Sequence, residues 1–335
     1  LSLGPLAAVL VLLGFTISTP ITISGALYLV GASAAAVGGW RISWGYRKYR
    51  AILWLGLGLI IAVIAMRVLQ PHDGQIKLLL LPEQSDRCGL NCIFDEQDTA
   101  LFSTRILALI GGISPTEQNG LLEAMYRQYQ AMAKVEPAAP SPFLRTYLNQ
   151  QRPDAFDAVV IEPDNPTTHT GIIFLHGFTG NFTMPCWLFA QAARAAAGIT
   201  VCPSVDWRGY WWTAAGKTTL RATIAYLHRR GVNRIYLAGL SNGAVGASKL
   251  ADELTDDLAG LILISGASAN AQDSGLPVLV LAGQNDERMP SDLLRTYADH
   301  LGTQATFVEL PADHFMLVKN YDEVEKHITA WLQQH

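Results

Sequence analysis

The chain has 335 residues, of which 50% are hydrophobic and 16% are charged, and its formal net charge is -4. This weakly acidic balance, with no basic stripe in the second half, argues against a nucleic-acid partner. The apolar content is high for a soluble protein. The excess lies at the front of the chain, because no acidic residue precedes Asp73.

The first 70 residues are predicted to be a membrane anchor of three transmembrane helices. Crossing the apolar core of a bilayer takes about 20 helical residues, and residues 1–40 carry no charge, so this stretch is long enough for two spans. Pro20 suits the turn between them, because proline interrupts helical hydrogen bonding. The predicted spans are residues 2–18, 21–40 and 51–69. The alternative is a cleaved signal peptide followed by one span.

The loop between the second and third predicted spans indicates the orientation of the anchor. It contains four cations and no acidic residue: Arg41, Arg47, Lys48 and Arg50. Short cationic loops stay in the cytoplasm, so the third span is predicted to run outward. The protein is then an integral membrane protein with the lipid bilayer as a partner, and everything after about residue 70 lies on the extracytoplasmic, periplasmic side.

The four cysteines fit an oxidising compartment outside the cytoplasm. Cys88 and Cys92 form a C-x-x-x-C pair, and Cys186 and Cys202 lie further along the chain. An even number of cysteines in such a compartment favours disulfides, and we predict the bridges 88–92 and 186–202. A metal site at the first pair is the alternative, but no second Cys or His pair at ligand spacing lies nearby.

Residues 71–150 are predicted to form a small, mainly helical accessory region. Ser114 and Glu117 are spaced as a capping box, with Pro115 at the first helical position of an amphipathic pattern. The predicted elements are a strand at 71–82, a helix at 98–111 and an amphipathic helix at 115–134, followed by a proline-rich joint at 136–142.

Residues 151–335 are predicted to form the main domain, in which apolar strands alternate with helices. The predicted strands lie at 156–163, 171–177, 198–205, 233–241, 258–266, 277–284 and 305–311. The predicted helices lie at 186–197, 214–230, 243–256, 290–302 and 320–333. Alternating strands and helices, with strands rich in Val, Ile and Leu, are typical of a doubly wound, mostly parallel sheet covered by helices on both faces.

The segment Gly239-Leu240-Ser241-Asn242-Gly243 is G-x-S-x-G at a predicted turn from strand to helix. This pattern predicts a nucleophile elbow, in which Ser241 adopts a strained backbone conformation. The flanking positions must then be small, which Gly239 and Gly243 satisfy. An ordinary serine between a strand and a helix is the alternative, since such a pattern also arises by chance in a glycine-rich chain.

A serine nucleophile needs a base and a carboxylate that orients the base. Asp286 follows one predicted strand and His314 follows the last one, so the order Ser, Asp, His is that of the α/β-hydrolases. Asp313 is a second candidate for the acid, but neighbours in sequence rarely point toward each other. The backbone N–H groups of Phe178, in "LHGFTG", and Asn242 are the predicted oxyanion donors.

These motifs resemble those of α/β-hydrolase fold serine hydrolases over residues 155–335, and "HGFTGN" resembles bacterial carboxylesterases and monoacylglycerol-lipase-like enzymes. The resemblance implies an eight-stranded, mostly parallel sheet and acyl transfer through a covalent acyl-serine, with no cofactor and no metal. Many relatives insert a helical lid after the strand at 258–266, but only "ASANAQDSG" follows it here. The site is therefore open, or covered by another segment such as the helix at 115–134.

The first hypothesis is a membrane-anchored serine hydrolase that cleaves carboxylic ester or thioester bonds of apolar acyl substrates. A second is a hydrolase-fold structural subunit of a membrane complex, since the small residues of "SGALYLVGASAAAVGG" permit close packing against other membrane subunits. Peptidases and acyltransferases also use this fold. The aromatic segment "DWRGYWW", residues 206–212, either lines an acyl pocket or packs in the core.

Overall fold

The computed structural model describes residues 20–70, 74–86, 88–137, 139–163, 169–196 and 198–335. The chain divides into two compact units, residues 1–71 with 92–118 and residues 72–91 with 119–335. The boundaries predicted at residues 70 and 150 therefore differ from this division, because parts of the predicted accessory region belong to each unit. The predicted span at 2–18 lies outside the described residues.

The first unit contains a helical hairpin of α1 (Ile23–Ser43) and α2 (Arg50–Val68). Both helices are long and apolar enough to cross a membrane by length and composition. The helices approach closely at glycines: a Cβ added to Gly38 would lie 2.5 Å from the backbone nitrogen of Leu53, and one added to Gly56 would lie 2.5 Å from that of Ala35. Gly38 of α1 and Gly56 of α2 therefore permit the close packing of the two helices within the hairpin.

Among the described residues, the first unit also contains α3 (Glu96–Leu109) and α4 (Pro115–Gln118). The predicted capping box is present, since the Ser114 N–H donates to Oε2 of Glu117 at 2.8 Å and the Glu117 N–H donates to Oγ of Ser114 at 3.3 Å. The single helix predicted over 115–134 is wrong. Gly120 has a φ of +71°, a left-handed conformation that ends one helix and precedes the next, α5 (Leu121–Val135).

In the second unit, nine strands among the described residues form one sheet in the order β2-β1-β3-β5-β4-β6-β7-β8-β9. The strands are β1 (Ile76–Leu81), β2 (Ser85–Asp86), β3 (Phe156–Ile161), β4 (Thr170–Leu175), β5 (Ile199–Pro203), β6 (Arg234–Leu240), β7 (Gly260–Ile264), β8 (Val278–Gly283) and β9 (Ala305–Leu310). Neighbouring strands from β5 to β9 run parallel, and the pairs around β1 and β3 are antiparallel.

The sheet confirms the predicted fold class, a mostly parallel α/β-hydrolase sheet. Its helices are α6 (Phe143–Tyr147), α7 (Thr183–Ala192), α8 (Ala214–Arg229), α9 (Asn242–Leu250), α10 (Ser291–Leu301), α11 (Met316–Lys319) and α12 (Tyr321–Gln334). The central strands β4, β7 and β8 are almost fully buried, as parallel strands covered on both faces are. Because these strands run parallel, their carboxyl ends lie at the same edge of the sheet. The candidate site residues lie at this edge.

Both predicted disulfides are present. Cys186 in α7 bonds to Cys202 in β5, with Cα atoms 6.1 Å apart, inside the range that a disulfide spans. Cys88 and Cys92 are also disulfide-bonded, and the chain has no other cysteine left to pair with them. The Cys186–Cys202 bridge joins the helix α7 to the strand β5 and so links the covering helices to the sheet.

Candidate active site

Ser241 lies on the turn between β6 and α9, with φ +54° and ψ −120°. This backbone conformation is sterically unfavourable for a residue with a side chain. A Cβ on Gly239 would overlap the backbone of Gly243, and a Cβ on Gly243 would overlap the carbonyl oxygen of Leu175 in β4. The two flanking positions therefore have to be glycine for the turn to close, as the G-x-S-x-G pattern predicts.

A continuous series of hydrogen bonds joins Ser241, His314 and Asp286. Oγ of Ser241 lies 2.9 Å from Nε2 of His314, and Nδ1 of His314 lies 2.8 Å from Oδ2 of Asp286. An ionised carboxylate only accepts hydrogen bonds, so the proton of a neutral His314 resides on Nδ1. Nε2 is then free to accept the hydroxyl proton of Ser241, as a general base must.

The orientation of Asp286 is fixed by its second carboxylate oxygen. Oδ1 accepts hydrogen bonds from the backbone N–H groups of Arg288 and Met289, each at 2.9 Å. Asp286 and His314 are both buried, at 5% and 8% exposure. The two backbone donors were not anticipated from the sequence, because no side-chain type marks them.

The second candidate acid, Asp313, is turned away from His314. Its carboxylate accepts hydrogen bonds from the backbone N–H of Phe315 and from Nζ of Lys319. Asp313 therefore fixes the turn that leads into α11. Of the two candidates, only Asp286 contacts the histidine.

The loop after β4 lies against the elbow. A Cβ added to Gly177 would be 3.1 Å from Cβ of Ser241 and 3.7 Å from the backbone nitrogen of Asn242, so the backbone of this loop approaches the serine closely. Phe178 follows in the same loop. Asn242 is the first residue of α9, where backbone N–H groups have no partner within the helix. The structure thus places Gly177, the residue before Phe178, and the first residue of α9 beside Ser241.

His176 stabilises this loop as a neutral residue. Its Nδ1 donates to the carbonyl oxygen of Gly177 at 2.8 Å, and its Nε2 accepts from the N–H of Val205 at 3.3 Å. Burial lowers the pKa of His176 to about 4, since the interior penalises the charged form. The imidazole has no contact with Ser241 in the described hydrogen bonds and serves to position the loop.

The aromatic segment 206–212 has both buried and exposed side chains. Trp211 is fully buried, and its indole N–H donates to the carbonyl oxygen of His176 at 2.9 Å. Trp207 is 39% exposed and packs edge-to-face on Phe178, with ring centroids 5.1 Å apart. The carbonyl oxygen of Arg208 accepts a hydrogen bond from the Asn242 side chain at 2.8 Å. The exposed rings therefore form an apolar rim beside the elbow.

The segment between β7 and β8, residues 265–277, contains no helix, as its length in the sequence predicts. The helix α5 packs against α7 and α11, and Nε2 of Gln128 donates to the carbonyl oxygen of Val318 at 3.4 Å. In the part of the chain that the structure describes, no group of three or more His, Cys, Asp or Glu side chains suits a metal ion.

The sheet is that of the α/β-hydrolase fold, and a serine, a histidine and an aspartate joined by hydrogen bonds lie at the carboxyl ends of its strands. No protein-family model and no curated protein matches the chain. Among solved structures, it is similar to XC6422 from Xanthomonas campestris, described as an α/β serine hydrolase without a lid. The two share 20% identity over 55% of this chain and 91% of that one, with a TM-score of 0.45.

Two further solved structures show the same likeness. An α/β serine hydrolase homologue from Coxiella burnetii is 22% identical over 53% of this chain and 92% of its own, with a TM-score of 0.45. The esterase Pf2001 from Pyrococcus furiosus is 12% identical over 54% and 87%, with a TM-score of 0.45. What these proteins share with this chain is the fold, and the chemistry follows from its own side chains.

Proposed function

We propose that the chain is a membrane-anchored serine hydrolase in which Ser241 is the nucleophile, His314 the general base and Asp286 the carboxylate that orients the histidine. The observation that carries the proposal is the series of hydrogen bonds from Ser241 through His314 to Asp286, on a strained turn. A serine hydroxyl is a weak nucleophile until an adjacent base removes its proton, and His314 is such a base.

The reaction proceeds through an acyl-serine. As Oγ of Ser241 attacks the substrate carbonyl carbon, its proton passes to Nε2 of His314, and Asp286 stabilises the imidazolium. The N–H groups of Phe178 and Asn242 donate to the oxyanion that forms. His314 then gives its proton to the leaving group, and the acyl-serine is hydrolysed by a water molecule that the same histidine activates.

The substrate we propose is a carboxylic ester or thioester with an apolar acyl group. Phe178 and Trp207 present exposed aromatic surface next to the elbow, at 48% and 39% exposure, and aromatic faces favour apolar substrates through the area that they remove from water. We propose that such a chain approaches past the segment after β7, which contains no helix. This proposal includes no cofactor.

A fluorophosphonate probe, which labels activated serines covalently, tests the catalytic proposal on the full-length protein. The Ser241→Ala variant is expected to lose labelling and ester turnover while its circular dichroism is unchanged. Ser265→Ala is the matched control, because Ser265 also has a positive φ, +50°, but is fully buried at the end of β7. Labelling that persists in Ser241→Ala would contradict the proposal.

The anchoring proposal rests on α1 and α2, whose length and composition suit two membrane spans. The loop that joins them and the adjoining helix ends combine the cations of residues 41–50 with exposed aromatic rings, Trp44 at 52% and Tyr46 at 49% exposure. Cationic loops lie on the cytoplasmic side and Trp and Tyr collect at membrane interfaces. We infer that the hydrolase unit lies outside the cytoplasm, where its disulfides are stable.

Thiol mass-tagging of intact cells, with and without reductant, tests this topology. Four thiols protected until reductant is added, and digestion of the hydrolase unit by protease applied from outside, are expected. Four freely reactive thiols with a protease-protected domain would invert the topology. The alternative of a structural subunit is less favoured, because the close-packing glycines Gly38 and Gly56 already contact the partner helix within the hairpin.

A further inference from the structure

The helix α3 begins beside the N-terminus of α1 and the C-terminus of α2. Thr22 caps the N-terminus of α1, and its N–H and Oγ1 both donate to the Asp98 carboxylate, at 2.8 and 2.6 Å. Arg67, in the last turn of α2, donates to the Cys92 carbonyl oxygen at 3.0 Å and to Asp95 at 3.2 Å. The first turn of α3 is thereby fixed at the end of the hairpin that lies away from the loop 44–49.

The polar residues at the start of α3 point inward and its large apolar residues point outward. Glu96 and Gln97 are buried, at 5% and 7% exposure, and Asp98 is bound to Thr22. The exposed side chains of this segment are apolar: Phe94 at 42%, Phe102 at 39%, Leu109 at 74% and Ile110 at 71%. This is the reverse of the distribution on a helix that faces water.

The outward side chains lie on one stripe of the helix. Phe102, the partly buried Ile106 and Leu109 are spaced by four and then three residues, which places them on the same face. The buried residues Gln97, Ala100 and Leu101 lie on the opposite face. A 14-residue helix is about 21 Å long, shorter than the hydrocarbon core of about 30 Å. It is therefore too short to cross a bilayer.

We propose that residues 94–110 form an interfacial segment. It lies along the extracytoplasmic surface of the membrane that the hairpin crosses, and it contacts lipid through Phe102, Ile106, Leu109 and Ile110. The inference rests on the proposed anchoring and extends it, because the start of the segment is hydrogen-bonded to the ends of both proposed spans. A helix that exposes large apolar side chains in this position inserts them at the boundary between headgroups and acyl chains. The anchor then includes a surface-bound element besides its spans.

Photo-crosslinking of the full-length protein in phosphatidylcholine–phosphatidylglycerol vesicles tests the inference. A benzophenone amino acid is placed in turn at three exposed leucines: Leu109 in the interfacial segment, Leu55 in α2 and Leu148 in the hydrolase unit, which are 74%, 72% and 53% exposed. After irradiation, mass spectrometry identifies the lipid adduct. Fluorophosphonate labelling of each variant establishes that the hydrolase unit is folded.

Lipid adducts are expected at positions 109 and 55, with none at position 148. An adduct at 55 without one at 109, or equal adducts at 109 and 148, would overturn the interfacial segment and leave the anchoring intact. A cross-link from 109 to a peptide, of this chain or of a second copy, would also overturn it. The absence of adducts at 55 would overturn the anchoring and the segment together, whereas the proposed chemistry at Ser241 is judged separately by its own labelling.

Discussion

Replacing Asp286 with asparagine exchanges one carboxylate oxygen for an amide nitrogen. This change is expected to move the proton of the His314 imidazole from Nδ1 to Nε2. Oδ1 of Asp286 accepts two backbone N–H groups, and Oδ2 accepts from Nδ1 of His314. In the Asp286→Asn variant, the carbonyl oxygen keeps the two backbone donors, because an amide nitrogen cannot accept them. The new amide nitrogen therefore faces His314.

Two facing donors repel, so His314 in this variant moves its proton from Nδ1 to Nε2. Nε2 then points an N–H group at Oγ of Ser241 and can no longer accept the hydroxyl proton. In a well-studied serine protease this substitution lowers turnover by about four orders of magnitude, which corresponds to about 5.5 kcal/mol of transition-state stabilisation. We expect a loss of the same order here, because Asp286 makes the equivalent contact at 2.8 Å.

The assay is steady-state hydrolysis of a chromogenic short-chain ester by the full-length protein, with Asp313→Asn as the matched control. Asp313 contacts Phe315 and Lys319, so its replacement is expected to leave most of the turnover. A loss in Asp313→Asn as large as that in Asp286→Asn would refute the assignment of the acid. So would an Asp286→Asn variant with nearly full turnover.

Two other expectations concern stability. Gly243→Ala places a Cβ against the backbone of β4. It is therefore expected to lower the free energy of unfolding by about 3 kcal/mol and to slow fluorophosphonate labelling. The control Gly39→Ala, which has open space around the added Cβ, is expected to change neither. Burial lowers the pKa of His176 from 6.5 to about 4. Above pH 6.5 the folded and unfolded states are both neutral there, and below it only the unfolded state binds the proton. The free energy of unfolding therefore falls by up to about 3 kcal/mol between pH 6.5 and 4. Denaturant titrations at a series of pH values measure this fall. If the unfolding free energy of His176→Gln fell with pH as steeply as that of the control His300→Gln, the reasoning would be contradicted.

The main sheet could be predicted from the sequence because each of its central strands is a short apolar run bounded by turns and followed by a helix. The strand β1 shows where such reasoning ends. Its apolar run predicts a strand, but its partner β3 lies far along the chain, with Ile76 opposite Ile161. Nothing local in either segment identifies the other, so the sequence alone places β1 in a separate accessory region.

A buried polar cluster was also not predicted. Asp157 in β3 is fully buried and accepts hydrogen bonds from Arg145 at 2.8 Å, Asn91 at 2.9 Å and Gln151 at 3.0 Å. The four residues follow no motif, since they come together only when the chain before β3 folds onto the sheet. By contrast, Ser241, with its flanking glycines, could be recognised, because the strained turn restricts neighbouring residue types.

The strain at Ser241 is balanced by contacts with β7 and α9 of the second unit. A residue in such a conformation costs about 1–3 kcal/mol and persists only where its surroundings fix it. The N–H of Ser241 donates to the carbonyl oxygen of Ile264 at 2.9 Å, and its own carbonyl oxygen accepts from the N–H of Val245 at 3.0 Å. A Cβ on Gly266 would lie 2.5 Å from that same oxygen, so β7 and α9 enclose the turn. The nucleophile is therefore held in position by the sheet and its helices. The contribution we propose for the hairpin is to concentrate this preformed site at a lipid surface, where apolar esters collect.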